Sequence, residues 1–355
     1  MALLQKLSEK LKNFQPRVVF PEGEDPRILQ AVRQLKTSRV IEPILLGDRA
    51  HIKQNARKLD INLEGIRILE PKRSDLTEQF VNKLKTYERF SEMSEEELNI
   101  QASSSSYFAT LMLLCDHADA LLGGATISAS NTLRPLIQLV PLIEGFNTVS
   151  SMMMVESDDY RIGGNETLFL ADCAVIPDPT SEQLAEIAVT TARFSNHLTN
   201  QVPRVAMLSY STKSSSTKNP TVNKMKAATT IAQKKVKELG LDINVDGEIQ
   251  VDAAIDASTA KIKKISSSVA GRSNVLIFPD LHCANISSKL IQIIGGVSSY
   301  GQILSGLSKP AAEVSRGASA HEIYGTSIIV ASQAISQSIL HENENGAKGS
   351  ESLER

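Results

Sequence analysis

The sequence contains no tryptophan, and aromatic residues make up only 4% of its 355 positions. Proteins that recognise nucleic acids by base stacking depend on aromatic side chains, so this mode of binding is disfavoured. The formal net charge of −2 provides no global field that would attract nucleic acid or an anionic membrane. Any site for an anion must therefore be local and built from a few arginines.

Cysteine is scarce, with Cys115, Cys173 and Cys283 widely spaced and no CxxC pair. This pattern disfavours a disulfide framework and a structural zinc site, and we expect no metal. No stretch reaches the ~18 consecutive apolar residues of a membrane span. The N-terminal apolar pattern is too interrupted for a signal peptide, so we expect a soluble, cytoplasmic protein without membrane or nucleic-acid partners.

Several common catalytic motifs are also missing. The sequence has neither GxxxxGK[ST] nor GxGxxG, which disfavours a P-loop kinase and a dinucleotide-binding Rossmann domain. The histidines show no HExxH spacing. His282 and Cys283 are sequence neighbours and point in different directions on regular backbone, so a Cys–His nucleophilic pair is disfavoured.

Short apolar runs typical of buried strands alternate with amphipathic helical stretches along the chain. Arg17–Phe20, Pro43–Leu46 and Ala118–Leu122 are such runs, and Asp25–Leu35 is a helical stretch between them. Strands separated by helices of this length form βαβ units with a mainly parallel sheet. A similar series begins near Asn147, and the chain is long enough for two domains of ~100–200 residues, so we predict two α/β domains.

The C-terminal part of the sequence has a helical pattern over roughly 320–340, followed by a polar tail, 341–355. The tail has almost no large apolar residues. A segment of this composition buries too little apolar surface to offset the entropy of ordering, so we expect it to be disordered.

The segment from 118 to 140 has the pattern of a strand, a loop of small residues and a helix. Pro135 is tolerated best in the first helical turn, so the helix is expected to begin near Ser130 or Asn131. Arg134 then lies beside free backbone N–H groups at a positive helix end, which suits phosphate. The alternative is that Arg134 makes a surface ion pair, worth ~0–1 kcal/mol.

A second segment, 306–324, also combines an arginine and a hydroxyl with a helix start. Ser319 and Glu322 match the S-x-x-E capping box, so a helix is expected to begin at Ser319. Ser315 and Arg316 then approach its positive end. The alternatives are that Glu322 is only a cap residue and Ser315 only a turn former.

Two further stretches of the sequence are rich in polar residues. A buried strand near 275–278 is followed by a polar run that contains Asn285 and Lys289. The serine cluster Ser103–Ser106 is interpreted as a loop or a helix start, because serine competes for backbone hydrogen bonds and favours caps.

These segments, in this order, resemble the phosphate acetyltransferase (phosphotransacetylase) family, which includes the phosphate butyryltransferases. The resemblance covers roughly residues 15–338. The matching blocks include RVVFPEGEDPRIL (17–29), ADALLGGATISASNTLRP (118–135), LADCAVIPDPTSEQLAEIA (170–188), NVLIFPD (274–280) and GLSKPAAEVSRGASAHEI (306–323).

The resemblance implies two three-layer α/β domains with mainly parallel sheets and an active site in the interdomain cleft. The first domain is expected to be discontinuous, 1–148 plus 312–340, and the second to cover 149–311. The resemblance also implies a homodimer that forms mainly through the second domain.

The activity implied is the reversible transfer of an acetyl group between coenzyme A and inorganic phosphate, giving acetyl phosphate and free coenzyme A, as in acetate metabolism. The thiol of coenzyme A attacks the acyl phosphate carbonyl directly in a ternary complex. Coenzyme A and acetyl-CoA, phosphate and acetyl phosphate are then substrates, and no separate cofactor is expected.

The resemblance also assigns roles to single residues. Arg134 and Arg316 match the arginines that hold the phosphate, and Ser315 matches the serine proposed to bind the developing oxyanion. Glu322 stands where the family carries an aspartate as the proposed base. Substrate-binding roles are implied for Ser128, Thr132, Arg89, Cys173, Asn285 and Lys289.

The sequence departs from the family pattern in two loops. GGATISASN (123–131) lacks the usual histidine and aspartate, and YERFSE (87–92) replaces a basic segment, leaving only Arg89 to attract coenzyme A. These departures keep two alternatives open: a butyryl-preferring enzyme and a catalytically degenerate ligand-binding homologue. A decarboxylating dehydrogenase would need a cluster of metal-binding aspartates that the sequence does not show.

Overall fold

The computed structural model describes residues 2–156, 167–213 and 218–351, with side chains described as far as Ile335. The chain divides into two compact units. The first unit comprises Ala2–Pro141 and Leu307–Arg355, and the second unit comprises Leu142–Gly306. The domains predicted above, 1–148 with 312–340 and 149–311, stay predictions, and the names first and second unit refer only to these compact units.

The first unit contains a parallel sheet of five strands with the order β3-β2-β1-β4-β11. Its strands are β1 (Arg17–Phe20), β2 (Glu42–Leu46), β3 (Arg67–Leu69), β4 (Ala120–Gly123) and β11 (Ala311–Glu313). Its helices are α1 (Ala2–Leu11), α2 (Pro26–Thr37), α3 (Arg49–Lys58), α4 (Thr77–Lys85), α5 (Glu95–Ala102), α6 (Ser105–Leu114), α7 (Ala129–Leu139) and α13 (Ala320–Glu351).

The second unit contains a mixed sheet with the order β10-β5-β6-β9-β7-β8, in which β5 runs antiparallel to both of its neighbours. Its strands are β5 (Ser150–Glu156), β6 (Thr167–Ala171), β7 (Arg204–Leu208), β8 (Asn244–Ile249), β9 (Val275–Ile277) and β10 (Ser298–Ser305). Its helices are α8 (Ser181–Thr199), α9 (Pro220–Glu238), α10 (Val251–Ile255), α11 (Ala257–Ile262) and α12 (Leu281–Ile294). The predicted class, α/β with mainly parallel sheets, is confirmed.

The first βαβ unit shows how the sequence produces these elements. The β-branched residues Val18 and Val19 are fully buried in β1, as expected for a strand covered on both faces. Asp25 then ends the extended segment as the N-cap of α2, where its side chain accepts a hydrogen bond from the Arg27 N–H at 2.8 Å. Pro26 at the first helical position has the φ angle that a helix requires.

Two helix boundaries differ from the sequence prediction. Helix α7 begins at Ala129, so Pro135 lies inside the helix and not in its first turn. Proline has no N–H to donate to the carbonyl four residues earlier, but the remaining turns of α7 are amphipathic and bury Leu133, Leu136 and Leu139. Helix α13 continues past residue 340, at which its end was expected. The disorder predicted for 341–355 stays a prediction, and 352–355 lie outside the described residues.

Helices of the first unit cover its sheet in packed groups. Helix α13 contacts α1, α2, β1 and β4, and α6 contacts α7, β1 and β4. The buried side chains of α6 run almost without interruption from Tyr107 to Leu113. This packing fixes the starts of α6, α7 and α13, which matter for the site described below.

Gly124 follows β4 directly and allows the close approach of the chain after β11. Its φ angle is +100°, and a Cβ atom at this position would lie 2.5 Å from the Val314 carbonyl oxygen. The neighbouring Val314 N–H donates to the Gly123 carbonyl at 2.8 Å. Only glycine therefore permits this pairing without moving backbone.

We expect Gly124→Ala to lower the stability of the protein by about 2–4 kcal/mol. Two costs add, because alanine is strained at this positive φ angle and its Cβ atom would overlap the Val314 backbone. Gly65→Ala is the matched control. Gly65 has φ +73°, but a Cβ there would meet only the flexible end of Lys36, at 3.2 Å. Thermal unfolding of both variants checks the prediction, and equal shifts in the two midpoints would contradict it.

Candidate active site

A cavity of ≈ 790 Å³ lies within the first unit at the carboxyl ends of β1, β2 and β4. Its lining includes Glu22 after β1, Gly47 after β2, Ile127 after β4, and Arg134 on α7. Ligands of open parallel sheets bind at this edge, and the volume falls in the range of small-molecule sites, ~300–1,000 Å³. This cavity is therefore the candidate active site.

A second cavity of ≈ 320 Å³ adjoins the first, since both are lined by Glu24, Gly47 and Ser105. Its lining also includes Lys72 and Arg73, which follow β3. Together the two cavities extend across the carboxyl ends of several strands. The extended shape fits a long ligand, and Lys72, Arg73 and Arg134 supply local positive charge beside the carboxylates of the lining.

Two helix N-termini face the larger cavity. Helix α6 starts at the serine cluster, and Ser104 donates its hydroxyl to the Gln101 carbonyl at 2.8 Å and makes no side-chain capping bond to its own helix. In α7 the Ser128 hydroxyl lies 3.0 Å from that of Ser130 and likewise does not cap the helix. Such helix ends attract anions through their N–H groups and dipoles. The serine cluster is thus a helix start, as predicted, and it also lines the cavity.

The Glu22 carboxylate accepts hydrogen bonds from the backbone amides that follow β4. Its Oε2 accepts from the Ala125 N–H at 3.0 Å, and its Oε1 accepts from the Thr126 and Ile127 N–H groups at 2.9 and 3.0 Å. Carboxylate bonds to several amides of one loop are charge-assisted and strong. These loop amides are therefore bound to the protein's own carboxylate, and a phosphate would need Arg134 or the first turn of α7.

Arg134 lies deeper in its helix than the sequence suggested. It is the sixth residue of α7 and exposed, and it contributes to the cavity lining. The expectation that Arg134 sits in the first turn is corrected, because the helix begins at Ala129 despite Pro135.

The positive charges of Arg89 and Arg134 both act on the hydroxyl group of Tyr107. Burial raises the pKa of Tyr107, while the hydrogen bond with Gln101 and the positive charges of Arg134 and Arg89 oppose this rise. The Tyr107 hydroxyl lies 2.6 Å from the Gln138 side-chain oxygen, to which it donates. Arg134 lines the larger cavity, whereas Arg89 lines a separate one together with Tyr87, Glu88 and Gln138.

The loop after β11 presents Ser315 and Arg316. Ser315 is half-buried, its Oγ accepts from the Gly317 N–H at 3.3 Å, and its carbonyl accepts from the Ala318 N–H at 2.8 Å. Arg316 is exposed. The turn thus holds the Ser315 hydroxyl beside the Gly317 N–H and leaves the Arg316 residue exposed to solvent.

Glu322 forms the predicted capping box at the start of α13. Its carboxylate accepts from the Ser319 N–H at 2.6 Å, and its own N–H donates to the Ser319 hydroxyl at 3.2 Å. The predicted helix start and the cap function are confirmed. A catalytic function of Glu322 stays a prediction.

Two predicted substrate-binding residues lie at the start of α7. Ser128 is half-buried at the N-cap position. Thr132 is only 2% exposed, and its hydroxyl donates to the Ser128 carbonyl at a long 3.4 Å. Thr132 therefore supports the loop from inside.

The remaining predicted residues belong to the second unit. Cys173 is fully buried in an apolar cluster, its thiol donates to the Leu170 carbonyl at 3.4 Å, and burial raises its pKa far above the ordinary value. Asn285 is exposed on α12 and donates to the Cys173 carbonyl at 3.2 Å. Lys289 follows one turn later and is half-buried.

Sequence reasoning missed three charged residues that hold these loops. Glu22 and Arg27 stand in the block RVVFPEGEDPRIL, but the sequence assigned them no function. Asp172, directly after β6, was likewise assigned no function. It is 3% exposed, accepts from the Ser151 N–H at 2.9 Å and hydroxyl at 2.7 Å, and accepts from the Ile176 N–H at 2.7 Å. The signal available in the sequence was a carboxylate that directly follows an apolar run typical of a strand.

A family model for phosphate acetyl/butaryl (butyryl) transferases matches residues 2–331 of the chain. The chain belongs to this family. The phosphate acetyltransferase of Staphylococcus aureus strain Mu50 is 36% identical over 333 residues, covering 94% of this chain and 99% of that relative.

Solved structures agree with this membership. The EutD phosphotransacetylase from Staphylococcus aureus has a TM-score of 0.83 at 35% identity, covering 94% of this chain and 98% of its own. A phosphotransacetylase from Streptococcus pyogenes has a TM-score of 0.82 at 36% identity, with the same coverage.

These likenesses confirm the predicted family and a transferase activity of the phosphate acetyltransferase type. They support this interpretation over the butyryl-preferring and degenerate alternatives. In the described parts of the chain, none of the helices combines the length and apolar character needed to cross a bilayer.

The capping box generates a prediction about stability. Glu322→Gln keeps a side-chain oxygen that can accept from Ser319, so stability should change by less than ~0.5 kcal/mol. Glu322→Ala removes the cap and should cost about 0.5–2 kcal/mol. Thermal unfolding of both variants is the measurement, and an equal loss in the two would show that the cap contributes nothing.

Proposed function

We propose that this chain catalyses the reversible transfer of an acetyl group between coenzyme A and inorganic phosphate by direct attack of the coenzyme A thiol on acetyl phosphate. The observation that carries the proposal is the cavity of the first unit, which joins Arg134 to two helix N-termini in a chain of this family. The relatives named above are phosphate acetyltransferases.

Phosphate binding requires positive charge that the protein has not already neutralised. The amides of the loop after β4 donate to Glu22, so they contribute little to an incoming anion. We assign phosphate binding to Arg134 and Arg316. Charge-assisted hydrogen bonds of this kind contribute ~1.5–3 kcal/mol each.

Thiol activation requires a base. A thiol with a pKa near ~8.5 is only a few per cent thiolate at neutral pH. We assign this role to Glu322, whose carboxylate is oriented by the Ser319 N–H at 2.6 Å. A base must be held within hydrogen-bond reach of its proton, and the capping box supplies such a fixed orientation.

The tetrahedral transition state develops negative charge on the carbonyl oxygen. A serine hydroxyl is an O–H donor, and the Gly317 N–H contact at 3.3 Å helps to fix the position of the Ser315 oxygen. We assign this donation to the oxyanion, where a single fixed donor contributes ~10²–10³ in rate.

Coenzyme A is long and anionic, and the two adjoining cavities together form an extended space. We propose that Arg89, near Tyr107, attracts its phosphates and that Ser128, at the N-cap of α7, also contacts this substrate. Asn285 and Lys289 are proposed to contact a substrate, Thr132 to support the loop before α7, and Cys173 to support the segment after β6 in the second unit. Coenzyme A is a substrate, and the proposed reaction uses no separate cofactor.

We further propose that the protein is a homodimer of the cytoplasm, where its three thiols stay reduced. The dimer is supported by an exposed apolar stripe on α12, formed by Ile286, Leu290, Ile293 and Ile294. Ile293 is 79% exposed. The spacing places these side chains along the helix, and a contiguous apolar surface of this kind marks an interface. A second copy presents the same stripe, so the two are self-complementary.

The enzymatic proposal predicts that the wild-type protein forms acetyl-CoA from acetyl phosphate and coenzyme A without added metal. Arg316→Ala should lower kcat/KM by ~10–100-fold or more through loss of a phosphate contact. Glu322→Gln keeps the cap but removes the base and should lower kcat by ~10²–10⁴. Thioester formation followed by absorbance measures all three proteins.

Arg57→Ala is the control, since Arg57 is an exposed arginine in the last turn of α3. Its activity should equal that of the wild type. A wild-type protein that turns over neither acetyl nor butyryl phosphate would contradict the proposal, and full activity of Glu322→Gln would remove Glu322 from the base role.

The dimer proposal predicts that Leu290→Asp with Ile293→Asp converts a dimer into a monomer, because two carboxylates would be buried at the interface. Ile262→Asp is the control, since Ile262 on α11 is equally exposed at 79%. Sedimentation velocity distinguishes the species. A dimer that survives the double substitution, or a monomeric wild type, would contradict this interface.

A further inference from the structure

Arg27, in the first turn of α2, joins the two loops of the candidate site. Its Nη1 donates to the carbonyls of Arg316 at 2.7 Å and Ala318 at 2.9 Å. Its Nη2 donates to the Ala125 carbonyl at 2.7 Å. One guanidinium therefore contacts both the loop after β4 and the loop after β11.

Asp25 fixes the orientation of this guanidinium. Its Oδ1 accepts from Arg27 Nε at 3.1 Å and its Oδ2 accepts from Nη2 at 2.8 Å. The Asp25 side chain is 6% exposed and that of Arg27 is 30% exposed. Burial raises the pKa of Asp25, but the hydrogen bonds and charge of Arg27 outweigh it and hold that pKa below its ordinary value.

The geometry uses the whole donor capacity of the guanidinium. Nε carries one N–H, and Nη1 and Nη2 carry two each, which makes five donors. The five acceptors are the two Asp25 oxygens and the carbonyls of Ala125, Arg316 and Ala318. Lysine has three donors on one nitrogen and cannot reproduce this planar arrangement.

In the loop after β4, both the N–H and the carbonyl of Ala125 are hydrogen-bonded to charged side chains. Glu22 accepts from the Ala125 N–H at 3.0 Å, while Arg27 donates to the Ala125 carbonyl at 2.7 Å. The carbonyl of Arg316 is fixed by the same arginine. The backbone from which the Arg316 side chain extends is thereby set relative to the loop that leads into α7.

We propose that Arg27 is a positioning residue that fixes the Arg316 loop relative to the α7 loop. This inference rests on the proposed function only in that Arg316 holds the phosphate. Arg27 itself touches no reacting atom, because its donors are bound to the protein. A displacement of about 1 Å at a reacting group can cost ~10²-fold in rate.

The competing explanation is a stabilising ion pair without effect on the site, and the chain offers a matched control for it. Arg17 donates to Asp119 through Nε at 3.0 Å and Nη2 at 2.7 Å, which is the same two-bond geometry. This pair lies in the first unit at the amino ends of β1 and β4, opposite to the cavity. Its loss should affect stability without moving the loops.

The experiment compares Arg27→Lys with Arg17→Lys in kcat, KM and thermal unfolding. Arg27→Lys should lower kcat by ~10–100-fold while KM for coenzyme A and for phosphate changes by less than ~3-fold. Arg17→Lys should keep kcat within ~2-fold of the wild type at a similar loss of stability. Equal kcat in the two variants would overturn the proposal.

Hydrogen exchange gives a readout that is independent of activity. Peptides covering 124–128 and 315–319 should exchange faster in Arg27→Lys than in Arg17→Lys, and unchanged exchange there would overturn the proposal. An inactive wild type would sink the proposed function, whereas the exchange comparison would still test Arg27. Should Arg27→Lys not fold, Asp25→Asn removes the carboxylate partner, keeps the arginine and serves in the same comparison.

Discussion

The candidate site depends on two charged side chains, one in the turn after β1 and one in the first turn of α2. Glu22 binds the amides at 125–127, and Arg27 binds the carbonyls of Ala125, Arg316 and Ala318. Loops at the edge of a parallel sheet come from distant parts of the sequence and have no regular pairing with one another. Half-buried ions with several hydrogen bonds hold them in one arrangement, which preorganised catalysis requires.

This arrangement also decides where an anion can bind. A glycine-rich loop followed by a helix suggests a cradle of free amides, but here a carboxylate of the protein already occupies it. We therefore propose Arg134 and Arg316 as the phosphate-binding residues, and the starts of α6 and α7 line the same cavity as Arg134. Phosphate recognition in this chain is accordingly expected to depend on guanidinium groups more than on backbone.

Much of this could be predicted from the sequence, and the rest could not for physical reasons. Local patterns predicted the βαβ series and the capping box at Ser319 correctly, because both depend on neighbouring residues. The helix start predicted from Pro135 was wrong, because the burial of apolar side chains of α7 outweighed the hydrogen bond that proline cannot make. The contacts of Arg27 could not be predicted from local sequence patterns, because its carbonyl partners lie 98 to 291 residues further along the chain.

The position of inorganic phosphate in a crystal structure tests the central claim most directly. We predict phosphate between the guanidinium groups of Arg134 and Arg316, with the Glu22 carboxylate still on the amides of Ala125, Thr126 and Ile127. Phosphate bound to those amides in place of Glu22, or bound away from both arginines, would contradict this account.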